Sequence, residues 1–249
     1  MNDNPPASIV VGASSGIGRS LALALARDRQ RVALIGRHQE SLDRVAGEVR
    51  AFGGEALVAV SDVREPETIE HALEAIAAQW PQPQTVYLSS GIALPVDLEY
   101  FHAGPLEQIV QTNLLGVAHW LEALHPRLRG TGSTVVVISS LSADRAFPGG
   151  GAAYSASKAA VSQLCDGLRA PWSRQGVRLV TVSPGFIRTP MTDGMASLPL
   201  VMEPEDAAKV ILRGVANGKT IIRFPTAAAV TMGLVRLLPA VILDKFYRP

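Results

Sequence analysis

Apolar positions run along this chain in two alternating rhythms. Seven short runs are apolar at nearly every position: SIVVGA (8–13), RVALIG (31–36), EALVAV (55–60), QTVYLSS (84–90), STVVVISS (133–140), VRLVTVS (177–183) and TIIRF (220–224). A strand with one wet face alternates. A continuous run predicts a strand covered on both faces. Between the runs lie longer segments with helical spacing, including GRSLALALARDR, QESLDRVAGEVRAFG, PETIEHALEAIAAQW, PEDAAKVILRGVANG and one long fourth helix over 105–128. Strand–helix alternation implies right-handed crossovers, and so an α/β chain with a parallel sheet between two helix layers. PQPQ (81–84) reads as a helix-to-strand turn. No composition break marks a linker, so residues 1–249 are expected to form one domain.

Composition narrows the function classes. A chain of 249 residues can bury roughly 75% of its unfolded surface without a metal or disulfide. The lone Cys165 cannot form an internal bridge, and the N-terminus shows no basic-then-apolar leader. A cytoplasmic location is expected. Formal charge is 23 − 22 = +1 with no blocks of one sign, which argues against nucleic acid as partner. The histidines share no metal-ligand spacing, so no metal is expected. His119 and His125 read as surface or helix-end residues, and Trp80, Trp120 and Trp172 as packing.

The first strand-to-helix turn, VGASSGIG, carries Gly12, Gly16 and Gly18. Glycine admits positive φ and lets a phosphate approach the backbone, where the helix amides face it. In the first βα unit of an α/β chain this predicts nucleotide binding. At the tip of the second strand stands Arg37, with no acid. A carboxylate there would accept from a ribose 2′-OH. A guanidinium grips a 2′-phosphate, so NADP(H) is favoured over NAD(H).

Further along, GGGAAYSASKAAVSQL (149–164) sets Tyr154 and Lys158 one helical turn apart among Ala and Ser. They share a face, and small neighbours leave room for a flat ligand. With GASSGIG and Tyr-x-x-x-Lys in this order, the chain resembles the single-domain branch of the short-chain dehydrogenase/reductase family over Ser8–Pro190. The resemblance implies a Rossmann-type doubly wound parallel sheet of about seven strands, order 3-2-1-4-5-6-7. It implies that Ser14, Ser15 and Ile17 join the three glycines at the cofactor. Asp62 and Val63 would meet the adenine, and Ser90 and Gly91 would pass under the cofactor. Pro184 and Gly185 would form a turn whose Ile187 and Thr189 hold the nicotinamide carboxamide. It further implies a catalytic set of Asn113, Ser140, Tyr154 and Lys158, with Lys158 also on the ribose hydroxyls and Asn113 positioning a water. Three departures stand out. Val11 replaces the usual Thr, LSSG (88–91) replaces Asn-Asn-Ala-Gly, and an extra glycine blurs the loop register. Ser139 and Ser142 therefore compete with Ser140.

The chemistry explains why these residue types belong together. Hydride delivery to a ketone builds charge on oxygen, which must receive a proton. A phenol must fall from a pKa near 10 toward neutrality to serve both directions, about 4 kcal/mol of differential stabilisation. A cation within about 4–6 Å supplies much of that, and Lys158 is placed to do so. Ser140 would steady the developing oxyanion. The expected activity is NADP(H)-dependent interconversion of a carbonyl and a secondary alcohol. The competing reading is a catalytically silent NADP(H)-binding scaffold.

Two segments stay open at this level. Residues 191–203 read as either a substrate lid or a packed loop, and their Met and Leu content suggests an apolar substrate. The extension 226–249 could cover the pocket, pack on another subunit, or lie on a membrane with Arg236 and Lys245 at the headgroups. Leu114, Val117 and Leu121 suit either a homodimer or homotetramer contact or burial against the chain's own sheet.

Overall fold

The computed structural model describes residues 6–97, 99–146, 151–194, 198–239 and 241–242. Seven strands form one sheet in the order β3-β2-β1-β4-β5-β6-β7, all pairs parallel. They are β1 (Ala7–Val11), β2 (Arg31–Gly36), β3 (Glu55–Val60), β4 (Thr85–Leu88), β5 (Thr134–Ile138), β6 (Arg178–Pro184) and β7 (Ile221–Phe224). The helices are α1 (Gly16–Arg27), α2 (Gln39–Ala51), α3 (Pro66–Gln79), α4 (Gly104–Val110), α5 (Gly116–Leu128), α6 (Ala152–Arg174), α7 (Pro204–Ala216) and α8 (Thr226–Leu237).

The unbroken apolar runs follow from two cores, one on each face of the sheet. Ile9, Val11, Ala33, Ile35, Val135 and Val137 face α3, α5 and α6. Val10, Val32, Leu34, Val136 and Ile138 face α1, α2 and α7. Successive strand residues thus feed opposite layers, as period-two geometry requires. Trp80, Trp120 and Trp172 are buried, as packing residues should be. Val117 and Leu121 are buried in the α3–α5–α6 core and Leu114 packs against it, so the chain's own sheet accounts for them.

The expected long fourth helix runs unbroken over Gly104–Leu128, with a π bulge inside it. This π turn, Gln111–Leu115, joins α4 to α5. It carries the buried Asn113, and such turns commonly sit at functional sites. Just beyond it, Gly116 lets α5 approach the segment after β3. A Cβ there would lie 2.6 Å from Val63 Cγ2 and 2.9 Å from Val63 Cβ.

That contact generates a paired prediction. An unobstructed helical Gly→Ala change gains up to about 1 kcal/mol. Gly47 in α2 is open, with nothing within 4 Å of an added Cβ. Gly47→Ala should therefore stabilise the protein. Gly116→Ala should destabilise it by about 1–2 kcal/mol, because buried Val63 must move. Urea unfolding midpoints of the two variants check both signs.

Candidate active site

In an open parallel sheet ligands bind beyond the carboxyl ends of the strands. The sequence-predicted residues collect there. Gly12 follows β1, Arg37 follows β2, Asp62 lies just past β3, Ser90 past β4, Ser140 past β5, and Pro184 ends β6.

The glycine turn is shaped by close backbone approach. Gly12 and Gly16 have φ of +82° and +53°, which favours glycine. A Cβ on Gly12 would meet Ser90 N at 2.8 Å, and one on Gly18 would meet the Gly12 carbonyl oxygen at 2.1 Å. A Cβ on Gly16 would meet Thr189 Cγ2 at 3.0 Å. The turn thereby touches both the β4 loop and the loop after β6. Ser15 stands at the N-cap of α1 without capping it, and no acid occupies the first turn. Those amides and the positive helix end suit a phosphate. Ser14 and Ile17 are half-buried in the same turn, and Ser15 is exposed. Val11 is fully buried strand core, so its departure from Thr leaves the backbone turn in place.

Asp62 is not free-standing. Arg64 grips its carboxylate, with Nε donating to Oδ1 at 3.0 Å and Nη2 to Oδ2 at 2.6 Å. That bond, more than the nearby Arg37 charge, holds the carboxyl below the usual range. Val63 is buried, and its carbonyl lies 3.2 Å from His119 Nδ1. His125 stacks on Trp172 at 4.8 Å. Neither histidine is therefore a plain surface residue. Among the described residues no group of three His, Cys, Asp or Glu is arranged for a metal.

The four expected catalytic side chains converge. Asn113 is fully buried. Its Oδ1 accepts from Ile92 N–H at 2.8 Å, and its Nδ2 donates to the Ile92 carbonyl at 2.9 Å and to Ser157 Oγ at 3.1 Å. Ser157 in turn donates to the Tyr154 carbonyl at 2.7 Å. Gly91 runs alongside: a Cβ there would sit 3.4 Å from Asn113 Oδ1 and 3.5 Å from Lys158 Nζ. Lys158 is buried, and its Nζ donates to the Ile138 carbonyl at 2.9 Å.

The three candidate serines separate cleanly. Ser139 donates to the Lys158 carbonyl at 3.0 Å and shares a 2.7 Å hydroxyl contact with Ser162, so it pins α6 to β5. Ser142 donates to Ser140 Oγ at 2.9 Å. Ser140 caps the short 3₁₀ turn Leu141–Ala143, and of the three it is the one near enough to the Tyr154 phenol to act on its acidity. Part of the intervening loop, residues 147–150, lies outside the described residues.

One expectation needs correcting. Tyr154 is not acidified in this arrangement: burial pushes its phenol up, and nearby Ser140 only partly opposes that. The Lys158 ammonium lies 5.8 Å from the tyrosine ring centroid and is engaged by Ile138. Burial also pulls Lys158 down to about 8.

After β6 the chain turns at Gly185, whose N–H donates to Phe224 O at 2.7 Å. Ile187 is buried and bridges Met202. The loop between them starts and returns at one point. Thr192, which the sequence reading passed over, ties it down by donating to Ile187 O at 2.8 Å. A cavity of about 400 Å³ lies beside Thr189, lined also by Thr192, Asp193, Leu198 and Val201. Residues 195–197 of the expected lid lie outside the described residues. In the C-terminal extension Met232 is buried, while Val230, Leu234, Leu237 and Val241 are exposed. Lys245 lies outside the described residues, and among those described no helix is long and apolar enough to cross a membrane.

A nicotinamide dinucleotide fits this crevice. The glycine turn leaves backbone where side chains would block a phosphate, and the Tyr154–Lys158 face adjoins Gly91 at the same strand ends. Comparison with known proteins agrees. The family model for short chain dehydrogenases matches residues 7–197. The chain belongs to the short-chain dehydrogenase/reductase family. Its enzyme class is thus that of an NAD(P)(H)-dependent oxidoreductase. An uncharacterized oxidoreductase of Myxococcus xanthus is 32% identical over 240 residues, covering 95% of this chain and 94% of the relative. A Burkholderia phymatum family member solved in complex with NAD superposes with TM-score 0.84 at 18% identity, covering 100% of this chain and 98% of that one. A Sphingobium yanoikuyae short-chain dehydrogenase solved with NADPH gives TM-score 0.78 at 24% identity, covering 94% and 96%. At these identities the two structures show the shared fold.

The buried ammonium sets a pH signature. Below pH 8 Lys158 is charged in both folded and unfolded chains, and folding bears the full desolvation cost. Between about 8 and the ordinary 10.5 the unfolded chain holds the proton and the folded one releases it. Stability must then rise with pH. The unfolding free energy of the wild type relative to Lys158→Met should be flat below pH 8. It should climb by up to about 3 kcal/mol toward pH 10.5, as read by urea unfolding across that range.

Proposed function

We propose that this enzyme uses NADP(H) to interconvert a carbonyl and a secondary alcohol, with Tyr154 as general acid and base. The observation that carries the reading is the grouping of Tyr154 with buried Lys158, 5.8 Å from its ring centroid, and buried Asn113, at the glycine turn's end of the sheet. Bound nicotinamide supplies or receives the hydride. The side chains do the rest. Ser140 donates to the substrate oxygen as charge develops. Tyr154 delivers the proton, which its raised pKa keeps in place for that purpose. Lys158 would return the proton to Tyr154, and Asn113, held in place by its two bonds to Ile92, would position the water that reconnects the lysine with solvent. Pro184, Gly185, Ile187 and Thr189 would hold the carboxamide end, and Ser90 and Gly91 the underside.

The NADP(H) preference is supported by Arg37 beyond β2 with no acid at that strand tip. The structural neighbours include one solved with NADPH and one with NAD. An apolar carbonyl substrate draws its support from Leu198 and Val201 in the cavity lining and from exposed Met191 and Leu200 on the same loop, although Arg188, Thr189, Thr192 and Asp193 also line the cavity. A homodimer or homotetramer belongs to the same proposal, supported by the apolar side chains left exposed on α8.

The test follows reduced-nicotinamide absorbance with NADPH and a panel of ketones. Tyr154→Phe should lower kcat by about 10³-fold or more while NADPH still binds. Ser140→Ala should lower it by about 10²–10³-fold. Ser139→Ala should act mainly on thermal stability. Tight NADPH binding with no turnover across the panel would overturn the catalytic reading in favour of the silent scaffold.

A further inference from the structure

Strands β2 and β3 pair through Gly36↔Val60, and Ser61 N–H extends the ladder to Gly36 O at 2.9 Å. Arg37 and Asp62 therefore emerge side by side at one end of the sheet. Left to itself, this pairing works against a phosphate ligand. The carboxylate would draw the Arg37 guanidinium and repel a dianion. The chain holds a third group against that outcome. Arg64 donates Nε to both carboxylate oxygens, at 3.0 and 3.1 Å, and Nη2 to Oδ2 at 2.6 Å, while its backbone N–H adds a bond to Oδ1 at 3.0 Å. Both oxygens of Asp62 are taken, and Arg37 is exposed.

We infer that Arg64 is a specificity-determining residue: by masking Asp62 it leaves Arg37 for a 2′-phosphate, so that the chain selects NADP(H) over NAD(H). This rests on the nucleotide reading above and deepens it. The three side chains Arg37, Asp62 and Arg64 sum to one positive charge. Without Arg64 they sum to zero, and the freed carboxylate competes for Arg37. A simple ion pair that staples a surface turn predicts something else. Exposed pairs contribute little to stability, and their loss would touch both nucleotides equally.

The distinction is made by calorimetric titration of the full chain with NADPH and with NADH, reading the ratio of the two Kd values. Arg64→Gln should narrow the NADPH preference by about tenfold and leave NADH within a few-fold of wild type. Adding Asp62→Asn to Arg64→Gln returns the cluster to one positive charge and should restore most of the ratio. The preference should also fall as salt rises, and fall less in Arg64→Gln. An unchanged ratio in Arg64→Gln, an equal weakening of both nucleotides, or no recovery in the double variant overturns the inference. Wild-type protein that binds neither nucleotide overturns the nucleotide reading itself. Wild-type protein that binds both equally overturns the NADP(H) preference, and this inference with it. Thermal melting of each variant confirms that the titrated protein is folded.

Discussion

A buried ammonium governs the architecture of this site. Lys158 is 3% exposed, and a charged amine taken from water costs several kcal/mol unless something receives it. Here the Ile138 carbonyl, at the last residue of β5, accepts from Nζ. That bond fixes where α6 lies against the sheet. Ser139 repeats the constraint from the other partner, reaching from the strand end to the Lys158 carbonyl and to Ser162. Tyr154, one turn earlier on α6, then has little choice but to face Ser140.

The rest of the crevice is closed onto this fixed face by close backbone contacts. Gly91 brings the β4 loop against Lys158 and Asn113, and Gly12 brings the glycine turn against Ser90. Gly16 meets Thr189, which ties the turn to the loop after β6. Asn113 reaches its backbone partners from within the π turn. An added Cβ would overlap Ser90 N at Gly12, at 2.8 Å, and would press on Thr189 at Gly16, at 3.0 Å, so these segments far apart in sequence are held in close contact. A rigid crevice is what alignment of two reactants requires.

Much of this was legible in the residues. The runs SIVVGA and STVVVISS hold most of β1 and all of β5, whose residues are buried at every step because both faces are covered, while EALVAV coincides with the half-exposed edge strand β3. The glycine turn, Asn113, Tyr154 and Lys158, each singled out by its motif, lie near one another at the strand ends. The π turn was not legible, since one extra residue barely disturbs helical spacing over a long segment. Ser140 could not be separated from Ser139 and Ser142 by spacing. Only the hydrogen-bond partners do that. Arg64 carried a weak signal, an Arg two residues after an Asp, which also describes an ordinary surface turn. Ser157 was hidden among the small residues around Tyr154, although it links Asn113 to the tyrosine backbone.

The direction of the Tyr154 shift was illegible for a deeper reason. Spacing shows that two side chains share a helix face, but not which atom the longer one seeks. Lys158 passes the phenol and reaches Ile138, so burial decides both groups. It raises the phenol and lowers the amine to about 8. Both shifts favour the uncharged forms, and their effects on function are complementary. The phenol keeps its proton until a carbonyl oxygen demands it. The phenolate then formed lies near a lysine that releases its own proton more readily than an exposed one would. The amine's desolvation therefore weakens the fold below pH 8 and, by the same free energy, eases the proton's return to Tyr154. A site tuned for stability alone would have placed an apolar side chain there.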